Sequence, residues 1–372
     1  MSESYSPGLE GIVAGETAVS TVETGLTYRG YTIEDLGANS NYEEVAYLVL
    51  YGELPTAEQA AAFRQRLGQA AEIPPELLQT LASIPPAAST MDVLRSAASL
   101  LAHWEPEVND NGHDANVRKA ERLLAKMPVV VAARQRLKEG KAVIAADPKL
   151  TLPANFLWML RGEKPSERQV KALDVSFILY AEHEFNASAF SARCVVSTLS
   201  DLHSGITAAI GALKGPLHGG ANERAMEVLE EVKSAAEAES WIRQALAQKR
   251  RIMGFGHRVY KEGDPRAVYL KKLTAEVAQE TGHLEMEQIA ETIETVVRSE
   301  KKLPPNVDWP CARLYHYLGL PIDLYTPLFV VARVVGWSAH IIEQLDNNRL
   351  IRPRAIYNGV ANRQWRPISE RK

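Results

Sequence analysis

Two cysteines, Cys194 and Cys311, are all that the 372 residues contain, and neither belongs to a C-x-x-C pair. This excludes a disulfide scaffold and a cysteine-rich zinc site, and it fits a reducing compartment. Long apolar runs are also missing. The most apolar stretch, residues 328–342, is interrupted by Arg333 and His340, so a membrane span is not expected. The first nine residues are polar and have no apolar core, so no secretory signal is read and a cytoplasmic protein is the expectation. A basic excess is absent: the formal net charge is −4, which argues against nucleic acid or an anionic membrane as partner. There is no Walker A pattern and no G-x-S-x-G elbow, and a dinucleotide fingerprint fails because Val259 stands where its third glycine belongs. His183 beside Glu184 lacks the second histidine of a zinc protease, because position 187 is Ala; no metal site is expected.

What is present is mostly helix. Residues 11–14 and 18–22 read as a small hairpin, and after Tyr31 the pattern is helical almost throughout. The spacing predicts helices over 43–51, 57–67 (capped by Thr56), 91–104 and 170–181. One long helix is read over 188–213, stopped by Gly215-Pro216. Another follows Thr326 as N-cap with Pro327 at its first position. The length allows two domains, and residues 221–303 are more charged, as in a smaller, more exposed unit.

Three polar residues lie in Gly- or Pro-punctuated turns: His218 before Gly219-Gly220, His257 after Gly254-Phe255-Gly256, and Asp308 after Pro304-Pro305. A carboxylate and two imidazoles suffice to make and use an enolate. The carboxylate removes a proton next to a carbonyl, one imidazole hydrogen-bonds the oxygen on which charge develops, and the other polarises the carbonyl under attack. Each residue also has a blander reading: a helix-terminal turn for His218, a solvated basic face for His257, a turn former for Asp308. Only the combination favours chemistry. Arg333 sits inside an apolar helix and must meet an anion, either an internal carboxylate or a ligand. Arg352 and Arg354 add cations near the C-terminus, and arginines around histidines suit a small polycarboxylate.

The stretches AEHEFNAS, GALKGPLHGGANE, IMGFGHRVYKEGDPR, PPNVDW, LYTPLFVVARVVGWSAHIIEQ and NRLIRPRAIY, with YRGYTIEDL near the start, follow one another as in the citrate synthase family, which the chain resembles. The resemblance implies a mainly α fold with a large domain (1–219 and 321–372) and a small one (220–320). It implies condensation of acetyl-CoA, a co-substrate rather than a bound cofactor, with oxaloacetate, followed by thioester hydrolysis. Asp308 would be the base, His218 the hydrogen-bond partner of the thioester oxygen, and His257 the acid at the ketone. Oxaloacetate would be held by His183, His257, Arg266, Arg333 and Arg352, the last reaching across a homodimer. Coenzyme A would lie on Arg251, Ile252, Gly254, Gly256 and Lys261. 2-Methylcitrate synthases, which use propionyl-CoA, share these motifs, and Pro310 after the aromatic Trp309 departs from the common pattern. A non-catalytic ligand-binding or scaffold protein on the same fold is the remote alternative.

Overall fold

The structure is a computed structural model that describes residues 5–23, 25–257, 260 and 262–371. Three two-residue strands, β1 (Ser20–Thr21), β2 (Thr27–Tyr28) and β3 (Tyr31–Thr32), form an antiparallel sheet in sequence order. The helices then follow: α1 (Ile33–Asn39), α2 (Tyr42–Tyr51), α3 (Ala57–Ala70), α4 (Pro75–Ser83), α5 (Thr90–Leu101), α6 (His113–Lys138), α7 (Leu152–Arg161) and α8 (Glu167–Tyr180). The second half comprises α9 (Ala187–Val196), α10 (Leu202–Leu213), α11 (Ala221–Glu230), α12 (Ala238–Ala247), α13 (Pro265–Thr281), α14 (Leu284–Lys301), α15 (Asp308–Tyr317) and α16 (Tyr325–Asp346).

Local chemistry sets many of these ends. Asn41 and Glu44 form a reciprocal capping box at the start of α2, and Gly52 closes it in the left-handed region at φ 91°. Thr56 with Gln59, and Ser166 with Gln169, do the same for α3 and α8. The centre of the molecule is α16. It is apolar and long enough to cross a membrane by composition alone, but its residues are buried by α2, α6, α8, α9 and α10. Its Gly336 lets α16 cross the end of α8 closely: a Cβ there would lie 2.3 Å from Ala181 O. Helices α11 to α15 pack on one another, and α13 also touches α8 and α1.

Three expectations need correction. Residues 11–14 are not a strand; β1 pairs instead with 27–28, and Ile12 and Val13 stay exposed. The long helix over 188–213 is two helices. Ser197 and Thr198 turn their hydroxyls back to Cys194 O and Val195 O, Leu199 adopts φ 68°, and Asp201 then caps α10 by accepting from Ser204 N. Thr326 does not cap α16, which begins one residue earlier, straight after a 3-10 turn. Its hydroxyl instead bonds Glu223 Oε1 and Gly219 O, tying α16 to the turn that carries His218.

Candidate active site

The turn between α10 and α11 is tight. Gly219 N donates to Leu213 O at 3.0 Å, and a Cβ on Gly219 would meet that oxygen at 2.3 Å, so no other residue fits without the turn opening. His218 thereby faces α9, with Nε2 2.8 Å from Ser188 Oγ. Ser188 Oγ also accepts from Trp337 Nε1 at 3.0 Å and lies 2.7 Å from Asn186 Oδ1. Asn186 Oδ1 already takes two backbone N–H groups as the cap of α9. Burial, with the charge of Arg333, lowers the His218 pKa to about 4, so the imidazole is neutral near pH 7.

The loops bearing His257 and Asp308 are zipped together. Gly256 N donates to Pro304 O (2.8 Å) and Asn306 N to Gly254 O (2.9 Å), with Phe255 and Pro305 paired as an antiparallel bridge. Gly254 stands at φ 88°, and a Cβ there would press on Trp309 at 3.0 Å. Asn306 clamps both sides: Nδ2 donates to Gly256 O and Oδ1 accepts from Asp308 N. His257 Nδ1 accepts from Tyr260 N at 3.2 Å, which puts the proton of a neutral ring on Nε2. The ring stacks on Tyr260 with centroids 4.6 Å apart and meets His183 edge-on at 5.4 Å.

Asp308 is the first residue of α15, half-buried, and its Oδ1 accepts from the Tyr180 hydroxyl at 2.7 Å. Burial raises the Asp308 pKa and the Tyr180 hydrogen bond pulls it back. Burial and the Asp308 charge hold the Tyr180 phenol well above its ordinary value, so it remains the donor. Asn222 Nδ2 donates to the same hydroxyl at 3.3 Å. Pro310 falls in the first turn of α15, where its missing N–H costs nothing, and the helix runs on undisturbed.

Two cations and a second imidazole complete the cluster. Arg266 forms a bidentate pair with buried Asp264 (3.0 and 2.9 Å), whose Oδ2 also accepts from Val307 N, beside Asp308. Arg333 is 1 % exposed; it donates through Nε to Tyr180 O and lies over the Phe329 ring, and no carboxylate among the described residues pairs with it. His183 follows the end of α8, and its Nε2 is buried without a partner among the described residues. Burial, Arg266, Arg333 and His257 all push its pKa well down. The loop around it is fixed by Ser20 Oγ, which accepts from Glu184 N and donates to Glu182 Oε1, while Glu182 pairs with buried His340 at 2.8 Å. A buried cation without a carboxylate next to an orphaned ring nitrogen is the electrostatic imprint of an anionic ligand.

Of the residues picked out in the sequence, the structure gathers His183, His257, Arg266, Arg333 and Asp308 around the end of α8, with His218 within reach of the Arg333 charge. Arg352 is not among them: it lies exposed on the extended segment after α16. Of the coenzyme A candidates, Ile252 and Gly254 are buried, Gly256 is half-buried, Arg251 is exposed, and Lys261 lies outside the described residues. Tyr180, Ser188, Asn222, Asp264 and Asn306 escaped the reading. Only Asp264 carried a sequence signal, as an Asp before a Pro that opens a helix. A cavity of about 670 Å³ lies beyond the 182–186 loop, lined by Gly15, Phe185, Arg193 and Arg349, and none of the clustered residues lines it.

The model of the citrate synthase C-terminal domain matches residues 8–354. Citrate synthase 2 of Bacillus subtilis is 47 % identical over 98 % of both chains. The 2-methylcitrate synthase of Shewanella oneidensis is 45 % identical over 98 % of this chain and 97 % of that one. The solved citrate synthase of Thermoplasma acidophilum, a ternary complex with carboxymethyl coenzyme A and oxaloacetate, superposes over 100 % of both chains with a TM-score of 0.93 at 34 % identity. The enzyme is therefore a condensing acyltransferase, and the chain belongs to the citrate synthase family.

Proposed function

We propose that the chain condenses acetyl-CoA with oxaloacetate and hydrolyses the resulting thioester to citrate and free coenzyme A. The observation that carries this reading is the buried Arg333, which pairs with no carboxylate among the described residues, beside His183 Nε2, which has no partner among them, with Tyr180 linking Arg333 to Asp308. Arg333, Arg266 and His183 bind the two carboxylates of oxaloacetate, and His257 donates through Nε2 to its ketone. Asp308 removes a proton from the acyl methyl group. His218, neutral and held against Ser188 Oγ, hydrogen-bonds the thioester oxygen. A neutral imidazole there stabilises the enol without giving up a full charge. The enol carbon attacks the ketone, His257 protonates the alkoxide, and water then cleaves the thioester.

The coenzyme binds along the backbone of Ile252, Gly254 and Gly256, with Arg251 and Lys261 as phosphate partners. Residues 220–320 move as a small domain against the rest and exclude water on closing. A second copy of the chain covers the C-terminal segment, whose Ile356, Tyr357 and Trp365 are exposed, and Arg352 completes the oxaloacetate site of that copy. The kinship with a 2-methylcitrate synthase favours propionyl-CoA as the second reading. One methylene is worth roughly 1–3 kcal/mol in a pocket. Release of coenzyme A thiol on adding oxaloacetate tests both readings. We expect kcat/KM for acetyl-CoA to exceed that for propionyl-CoA. The reverse order makes propionyl-CoA the substrate, and no release from either defeats the proposal.

A further inference from the structure

Along the first half of α8 lies a cavity of about 320 Å³, between the start of α7, the turn 164–165 and the start of α2. Its walls are largely apolar, with Leu150, Ala154 and Val170 among them. Two buried polar atoms of its lining residues have no partner among the described residues: Asp174 Oδ2, on a residue that is 5 % exposed, and Thr151 Oγ1. Two exposed cations, Lys164 and Lys171, line it as well, together with the exposed carboxylate of Glu167. Among the described residues Lys164 makes no ion pair, and Lys171 donates to Gly37 O and Ser40 O at 3.5 and 3.4 Å while its charge also acts on Asp174. An apolar chamber with a few convergent polar groups is the usual form of a small-molecule site, and an orphaned buried carboxylate oxygen calls for a donor.

The volume holds about ten water-sized groups. A buried carboxylate is best matched by an ammonium, the lysines by a carboxylate, and the walls by a branched alkyl group. We propose that this cavity is an effector site for a small aliphatic α-amino acid, with its ammonium on Asp174 and Thr151 and its carboxylate on Lys164 and Lys171. The route to the active site is short. Asp174 Oδ1 accepts from Tyr42 N at 3.0 Å, and the Tyr42 hydroxyl donates to Ala332 O (2.9 Å) and Val331 O (3.2 Å), next to Arg333. Tyr180, whose carbonyl accepts from Arg333, lies six residues beyond Asp174 on α8, about 9 Å along the axis. Occupancy of the cavity therefore biases how Arg333 is presented. This coupling rests on Arg333 being an oxaloacetate ligand; the binding site does not. Burial raises the Asp174 pKa to about 6, with Tyr42 N and the Lys171 charge pulling it down and Glu43 and Glu44 pushing it up, so the ammonium contact strengthens as the carboxyl ionises above that value.

L-Leucine is the probe, followed by saturation-transfer NMR on the full-length protein. A dissociation constant of about 1 mM or tighter is expected, weakening as pH falls below about 6. Val170→Trp, which fills the chamber, abolishes binding, and Lys164→Glu, on the surface, weakens it about fivefold. Calorimetric titration of oxaloacetate then shows an affinity changed at least twofold by saturating leucine. No transfer to leucine, meaning a water-filled cavity only, overturns the proposal. So does leucine binding that survives Val170→Trp, or an oxaloacetate affinity that leucine does not move. Failure of oxaloacetate to bind the leucine-free protein strikes the proposed function instead, and leucine binding by NMR would still support the site.

Discussion

Tyr180 is the residue on which the chemistry of Asp308 turns. Its hydroxyl donates to the carboxylate at 2.7 Å and so stabilises the charged form that the proposed base needs. Burial works the other way and raises the Asp308 pKa. Tyr180→Phe removes the stabilising hydrogen bond and keeps the ring. We predict that the acid limb of kcat/KM for the thioester moves to higher pH in this variant; an unmoved limb, or one displaced downward, would detach Tyr180 from the base. Arg333 is tested through binding. Arg333→Ala deletes the buried cation proposed to hold a substrate carboxylate, at a cost of about 2–3 kcal/mol, or about thirty- to 150-fold in oxaloacetate affinity. Calorimetry that finds wild-type affinity contradicts the assignment.

At the level of elements, the crossing of α8 and α16 does the positioning. It brings Tyr180 and Glu182 from the end of one helix against Arg333 and His340 of the other. Gly336 permits the approach, and its would-be Cβ meets a backbone oxygen that cannot rotate away. Gly336→Ala is therefore predicted to lower unfolding stability in urea by roughly 3 kcal/mol, with oxaloacetate affinity falling alongside it. Retention of both would mean the helices can part without consequence. The helices themselves were readable, because capping boxes and apolar periodicity are local signals: Thr56, Gly52 and the 170–181 stretch all served. The break between α9 and α10 was not, since its apolar seam continues across Leu199 and only side-chain bonds back to carbonyls betray the kink. Likewise His218, His257, Asp308 and Arg333 stood out by their turns or by charge in an apolar run. Their supports did not, because Asn306, Ser188 and Tyr180 act through contacts between segments distant in the chain.

At the scale of the whole molecule, folding carries an electrostatic penalty that pH exposes. His203 is 2 % exposed, and burial lowers its pKa to about 4; burial likewise lowers His218 to about 4 and puts His183 well below 6.5. An unfolded chain binds protons on these rings near pH 6.5, whereas the folded chain does not, so stability falls as pH drops from about 6.5 towards 4. His203→Gln, remote from the site, should flatten that decline in a series of thermal melts; an unchanged slope means that other groups carry it. Assembly is tested by mixing. If Arg352 serves the partner's site, inactive Asp308→Asn and Arg352→Ala chains refolded together regain roughly a quarter of wild-type activity, because half of the dimers are mixed and each of these has one intact site. If Arg352 served its own chain, no activity would return.

The central claim is that Asp308 removes a proton from the acyl carbon while His257 acts on the other substrate. It is tested most directly by following solvent deuterium into the acyl group of acetyl-CoA, with malate in place of oxaloacetate so that condensation cannot occur. The account predicts exchange in the wild type and in His257→Gln, and exchange slower by a factor of about 100 or more in Asp308→Asn. Exchange at the wild-type rate in Asp308→Asn would contradict it.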